Sequence, residues 1–104
     1  MTNPLNNLFA DATPPKLGER FETLHQDGKV VIERIVSSSH PDQLEYRQTQ
    51  DEWVVLLQGE ATLMVDGALV HLLAGSYLFI AAGTPHTVQH ASHGALWLAV
   101  HVAA

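Results

Sequence analysis

The stretch Trp53-Val54-Val55-Leu56-Leu57-Gln58-Gly59-Glu60-Ala61-Thr62-Leu63-Met64-Val65-Asp66-Gly67-Ala68-Leu69-Val70-His71-Leu72-Leu73 decides the fold. Trp53–Gln58 is a short, strongly apolar run, too short for a helix, and Gly59 breaks it. Ala61–Val65 is a second run. Asp66-Gly67 then supplies the dipeptide that closes a tight hairpin, and Leu69–Leu73 returns from it. Three strands in succession, with no room for a helix between them, point to an antiparallel β architecture.

The same reading extends outward in both directions. Downstream, Ala74-Gly75 is a turn, Tyr77–Ile80 a strand, Ala82–Pro85 a turn, and His86–His90 and Leu96–Val102 two further strands around the loop Ala91–Gly94. Upstream, Phe21–His25 and the β-branched Val30–Val36 flank Asp27-Gly28, a second hairpin signal. Ser37–Asp42 is a polar loop. Leu44–Gln48 reads as extended, and Thr49–Asp51 as a turn. The expectation is about nine short strands and no helix, an all-β sandwich or barrel over residues 21–104. Residues 1–20 are rich in turn formers and form an N-terminal arm. In it Leu5, Leu8 and Phe9 would make one docked helical turn or belong to a frayed tail. Val54–Leu57 and Leu96–Val100 are apolar on both faces. One face lines a core, and the other packs on a second sheet or on a second copy of the chain, so a homodimer is expected.

Composition removes whole classes of function. The chain has 104 residues, enough for one domain, and no cysteine, so disulfides, thiolate metal sites and a cysteine nucleophile are excluded. Apolar residues make up 46% and charged residues 15%, which argues against disorder. Five Lys and Arg stand against eleven Asp and Glu, a net charge of −6, and all five bases lie at or before Arg47. Such a chain cannot neutralise a row of phosphates, so no nucleic-acid partner is expected, nor an anionic membrane surface. No apolar run reaches the ~18 residues of a membrane span, and the start of the chain lacks a basic, apolar leader pattern. A cytoplasmic protein is expected.

Seven histidines are available for chemistry: His25, His40, His71, His86, His90, His93 and His101. On a regular strand, residues two apart share a face at about 7 Å, and residues four apart are about 13 Å apart. His86 and His90 therefore cannot both reach one small ion. His86 directly follows Gly83-Thr84-Pro85, which sets it at the start of its strand, near a barrel mouth. Upstream, Tyr46 and Gln48 share one strand face, and Glu52 opens the next strand on the face of Val54 and Leu56. On spacing alone, Glu52 is either a buried carboxylate in need of a cation or donors, or a solvent-facing strand end. Trp53 alternates with Glu52 and should face away from the interior. Trp97 is placed to wall a pocket.

Two spacings resemble the two motifs of the cupin family. The first motif is His-x-His, three or four residues, Glu, six residues, Gly. Glu52 and Gly59 fit its second half, while Tyr46 and Gln48 stand at the histidine positions. The second motif is Gly, five residues, Pro-x-Gly, two residues, His, three residues, Asn. Gly75, Gly83 and His86 fit it, with Ala81 in place of the proline and His90 in place of the asparagine. The chain is similar in particular to small one-domain bacterial cupins of unassigned activity, through Asn7–Asp11, Phe21–Leu24, Glu33–Ser37, Asp51–Ala61 and Leu96–His101.

This resemblance implies a double-stranded β-helix, or jelly-roll barrel, with a divalent metal ion in its cup. Carried over position by position, Glu52 and His86 are metal ligands, and Gln48 completes the set. Tyr46 is the catalytic acid or base, or else a fourth ligand. An amide oxygen is a weaker ligand than imidazole, and tyrosine binds well only as phenolate. The mixed N/O set suits Zn, Ni, Fe or Mn. His40 and His101 are placed where either could supply a missing imidazole. The implied function is metal-dependent chemistry of oxygenase, isomerase or lyase type on a small organic molecule. The alternatives are a non-catalytic small-molecule-binding or sensing module with a degenerate metal site, and a barrel whose role is subunit association.

Overall fold

The computed structural model describes residues 6–104, which form eight antiparallel strands and no helix. They are β1 (Glu19–Asp27), β2 (Val30–Ser37), β3 (Asp51–Gln58), β4 (Glu60–Val65), β5 (Ala68–Leu73), β6 (Tyr77–Ile80), β7 (His86–Ala91) and β8 (Ala95–Val102). A five-stranded sheet runs in the order β1-β2-β8-β3-β6, and a three-stranded sheet in the order β5-β4-β7. Strands distant in sequence are neighbours in each sheet, the double winding of a jelly roll.

Period-two alternation explains the layering. On β3, Glu52, Val54 and Leu56 are buried while Trp53, Val55 and Leu57 face outward. On β8, Trp97, Ala99 and His101 share the inner face. Ile80 of β6 lies beside Glu52 on the same face, Leu63 of β4 and Leu72 of β5 meet them from the smaller sheet, and the apolar members form the core. Both hairpins form, but Asp27 pairs with Val30 as the last residue of β1, so Gly28 and Lys29 make the first turn. Asp66 and Gly67 both have positive φ, at 48° and 82°, and join β4 to β5 as a two-residue turn.

Four further sequence expectations change. Leu44–Gln48 is not a ninth strand. Its Tyr46 pairs with His86 as an isolated bridge, exchanging backbone hydrogen bonds of 2.8 and 3.0 Å. The reason is local: Gln43 takes a positive φ of 59°, and the Asp42 carboxylate accepts from the Leu44 amide, so the chain is turning where a strand would start. Asp51 is no longer part of the preceding turn. It pairs with Val102 as the first residue of β3. At the other boundary β1 begins at Glu19, two residues before position 21.

The fourth change concerns the arm. Leu8–Asp11 is a turn and not a helical segment, and Phe9 is exposed; Leu5 lies outside the described residues. Docking comes from Arg34, which is 6% exposed on the outer face of β2. Its guanidinium donates to the carbonyls of Leu8, Ala10 and Asp11 and to the Glu22 carboxylate. Carbonyls of an irregular segment thus find their donors in one planar fork.

Candidate functional site

Three elements deliver the expected residues to one cavity between the sheets. β3 brings Glu52, β7 brings His86, and the bridged loop brings Tyr46 and Gln48, all four of which line it. The cavity is small, about 60 Å³ in volume, well below the ~300–1,000 Å³ range of drug-sized sites, so its ligand is small. Val54, Leu63, Ile80 and Val88 form its apolar floor.

His86 is fixed by a local bond. Its Nδ1 lies 3.0 Å from the Thr84 carbonyl, which only accepts, so Nδ1 carries the proton. Nε2 of the neutral ring is then a lone-pair atom, and it faces Glu52 Oε1 at 3.6 Å, beyond hydrogen-bond reach. That oxygen is buried with no hydrogen-bond partner, and so is Oε1 of Gln48. Burial raises the Glu52 carboxyl above the ordinary range, an effect opposed by the nearby His101 and His86. Glu52 Oε1 and Gln48 Oε1 are thus buried acceptors in the cup without a partner, while the Gln48 side chain also hydrogen-bonds the Glu52 carboxyl.

Tyr46 contributes its ring, 5.8 Å from that of His86. Its hydroxyl donates to Asp42 at 3.3 Å, and burial with neighbouring carboxylates pushes the phenol up to about 12. Near neutrality it therefore holds its proton, which suits a donor or acid more than a phenolate ligand.

The remaining histidines sort by face. His40 is exposed on its loop, where its backbone carbonyl accepts from the Gly18 amide and its backbone amide donates to Ser38 Oγ. His90 is also exposed. The pairing of β7 with β4 shifts between Thr62 and Leu63 and leaves Gln89 unpaired, so the strand changes parity there and His90 turns outward while His86 and Val88 face in. His101 is 7% exposed and does line the cup, opposite Glu52 in the β3–β8 register. Its Nε2 donates to Glu33 Oε1 at 3.2 Å, and Glu33 raises its basicity. Trp97 walls the same cavity, its indole N–H donating to Ser37.

Sequence reasoning passed over Glu19 and Glu33, which also line the cup. The signal for Glu33 was its alternation with Ile35 on β2, a carboxylate on the core face of an apolar strand. Its partner on β8 was not visible without the register. Glu19 sits before the expected start of β1. Its carboxylate accepts from Ser37 Oγ at 2.7 Å, and burial pushes its carboxyl up.

The donor set can be tested for a divalent ion on this geometry. Ligand bonds of about 2.0–2.2 Å let one ion touch both Glu52 Oε1 and His86 Nε2 across 3.6 Å. Thr84 orients the imidazole as a carbonyl behind a metal-bound histidine does. Among the described residues no three side chains of His, Cys, Asp or Glu group as a metal site. A third protein ligand must therefore be neutral, and the orphaned Gln48 oxygen is the one present.

Comparison with known proteins fits this architecture. A structure from Ralstonia eutropha JMP134, provisionally named a mannose-6-phosphate isomerase, is 33% identical, with 98% of this chain and 100% of that one covered and a TM-score of 0.84. A conserved protein of unknown function from Streptococcus pyogenes is 19% identical over 100% and 90% of the two chains, with a TM-score of 0.82. A cupin from Desulfovibrio desulfuricans described as RmlC-like is 19% identical over 97% of each chain, with a TM-score of 0.81. These last two show likeness of fold alone. No curated protein matches the chain. The sequence profile described as "Cupin domain" matches residues 35–101, which span β3 to β7, the end of β2 and most of β8, and the chain therefore belongs to the cupin family.

Proposed function

We propose that the cup binds a small organic molecule beside a divalent cation, Zn, Ni, Fe or Mn, held by Glu52, His86 and Gln48. One observation carries this reading. Two lone-pair atoms, Glu52 Oε1 and His86 Nε2, face each other at 3.6 Å, and the orientation of His86 is set by Thr84. Such a pair calls for a positive charge between them. When bound, the cation would act as a Lewis acid toward a carbonyl or hydroxyl of the ligand. The apolar floor and the flat walls of Trp97 and Tyr46 would seat the carbon skeleton of the ligand, while the Tyr46 hydroxyl gives its proton to Asp42. The provisional name of the Ralstonia protein favours isomerase-type chemistry over oxygenase or lyase types.

A second reading is a binding or sensing module without metal. It is favoured by the lack, among the described residues, of three grouped His, Cys, Asp or Glu side chains. In that case the ligand's own donors satisfy Glu52, Gln48 and His86.

Metal analysis separates the two. Protein prepared without chelator, or reconstituted with each of the four ions, is expected to carry close to one equivalent. Glu52→Gln and His86→Gln, checked for folding by circular dichroism, are expected to lose it. Retention of less than half an equivalent by the wild-type chain would leave the metal-free module. Metal affinity should also fall in acid, because a protonated imidazole cannot ligate.

The outer face of the larger sheet supports the same chain as its partner. Trp53, Tyr77 and Phe79 are exposed there, and the Trp53 and Tyr77 rings lie 5.7 Å apart. Val55 and Val100 lie beside them in register, and the patch holds no charged side chain. We propose that a second copy of the chain covers this exposed apolar patch, making a homodimer.

A further inference from the structure

We infer that the cup takes an unbranched, oxygen-headed molecule, its head at Glu52 and its alkyl chain laid over Phe21, and that cyclic sugars do not fit. This deepens the reading of the cup as a small-molecule site and rests on it, but not on which cation is held there.

Size sets the first limit. The cavity measures about 60 Å³, whereas a cavity that holds a benzene ring measures about 150 Å³. No sugar or aryl ring fits whole inside, and a molecule of more than a few heavy atoms must leave part of itself at the mouth. The lining is also divided. On the inner face of the larger sheet Phe21 pairs with Ile35 and Ile35 with Trp97, an apolar row across β1, β2 and β8. Glu52 and His101 pair in the same way across β3 and β8. Trp97 and His101 are four residues apart on β8, which sets the row and the polar pair about 13 Å apart along the strand. His86 and Gln48 add their polar groups beside Glu52. Elsewhere the polar lining is turned to the protein: Glu19 accepts from Ser37, Glu33 engages His101, and the Tyr46 hydroxyl donates to Asp42. One end therefore receives an oxygen head, and the rest receives carbon. A polyol would bring hydroxyls against Ile35, Val54 and Trp97, where none finds a partner.

Phe21 marks the lip. Of the described side chains that line the cup it alone is exposed, at 49%. It stands on β1, the edge strand of the larger sheet, and it is not part of the core. An aromatic ring at the rim of an apolar cavity gains burial only when something lies on it. An alkyl chain leaving the cup along the row from Trp97 and Ile35 does so. Neither cupin motif reaches β1, so neither assigns Phe21 a role.

The test titrates the full chain with two series of probes: acetate, butyrate and hexanoate, and ethanol, n-butanol and n-hexanol. Amide shifts of cup residues in NMR report binding, and metal content is measured on the same samples. Within at least one series, affinity is expected to rise about two- to fourfold per added methylene. A response to the carboxylates goes with a cation beside Glu52, and a response to the alcohols alone with a cup that holds no metal. In the responding series the branched member, pivalate or neopentyl alcohol, should bind about tenfold more weakly than its unbranched isomer, because overpacking a narrow cup is costly. Phe21→Ser should flatten the rise with chain length and leave the shortest member unaltered. Phe21→Leu, which keeps an apolar cover, should retain most of the rise, and both variants are checked for folding by circular dichroism. D-mannose should give no saturable shift at millimolar concentration. The inference fails if affinity does not grow with chain length in either series, or if Phe21→Ser leaves the growth intact. It also fails if the branched member binds as well as its isomer, or if mannose binds as tightly as the longest chain. Growth with chain length in a metal-free sample would count against the cation reading alone, and bound metal without such growth would count against the inference alone.

Discussion

Glu52 and His86 show how a pair 34 positions apart becomes one site. Each was marked by its place at a strand head, and the fold makes those two heads converge. What the residues could not reveal was the second pair. His101 and Glu33 meet because β8 lies between β2 and β3, and that register is a property of the sheet. Glu19 gives a residue-scale prediction with a definite sign. Burial raises its carboxyl from an ordinary 4.5, with Asp42, Glu52 and Glu33 adding repulsion and Ser37 opposing. The folded chain thus holds this proton more tightly than the unfolded chain. Its contribution is most favourable below about pH 4.5 and is lost as pH rises through the raised folded value. Glu19→Gln should therefore gain urea stability relative to the parent as pH climbs from about 4.5 toward 8, and then level off. A gap that stays constant with pH would contradict the assigned cause. Gly59 makes a second prediction. It has a φ of +90°, and a Cβ there would stand 2.5 Å from Ser92 Oγ and 3.2 Å from Ala95 Cα. Gly59→Ala should cost about 2 kcal/mol or more in chemical denaturation, from backbone strain and crowding together.

At the scale of elements, hydrophobic alternation and hairpin dipeptides made most strands legible. The failures have physical causes. Leu44–Gln48 has strand-like residues, but Asp42 and Gln43 turn the backbone, and one bridge to His86 is all that forms. The unpaired Gln89 flips the parity of β7, so period-two counting misplaces His90 relative to His86. The arm was read by its apolar residues, whereas a buried cation organises it. Arg34→Met should test this. It removes the donors for three carbonyls and the partner of Glu22, which is itself partly exposed, so the expected loss is about 2–3 kcal/mol. Hydrogen exchange should speed up in residues 7–11 more than in β4 or β5. Equal acceleration everywhere would mean that Arg34 supports the barrel and not the arm.

At the scale of the molecule, charge and apolar surface are segregated. Acceptors and carboxylates gather inside the cup, the arginines grip the arm or the surface, and an uncharged aromatic face lies on the outside of the larger sheet. Sedimentation velocity should show a dimer for the parent chain and a monomer for Trp53→Ser/Phe79→Ser, with the cup's metal content retained. A monomeric parent would remove the assigned role of that face. The fold was legible because jelly-roll winding follows from short strands at regular spacing. The site was legible only in the part that the two motifs mark. The central claim is that Glu52 and His86 share one cation. Anomalous scattering from a crystal of the chelator-free protein, recorded on both sides of the absorption edges of Zn, Ni, Fe and Mn, tests it most directly. A single peak within ligand-bond distance of Glu52 Oε1 and His86 Nε2, with Gln48 Oε1 alongside, is the predicted result. A featureless map between these side chains after soaking in each ion, or a peak bound to only one of them, would contradict it.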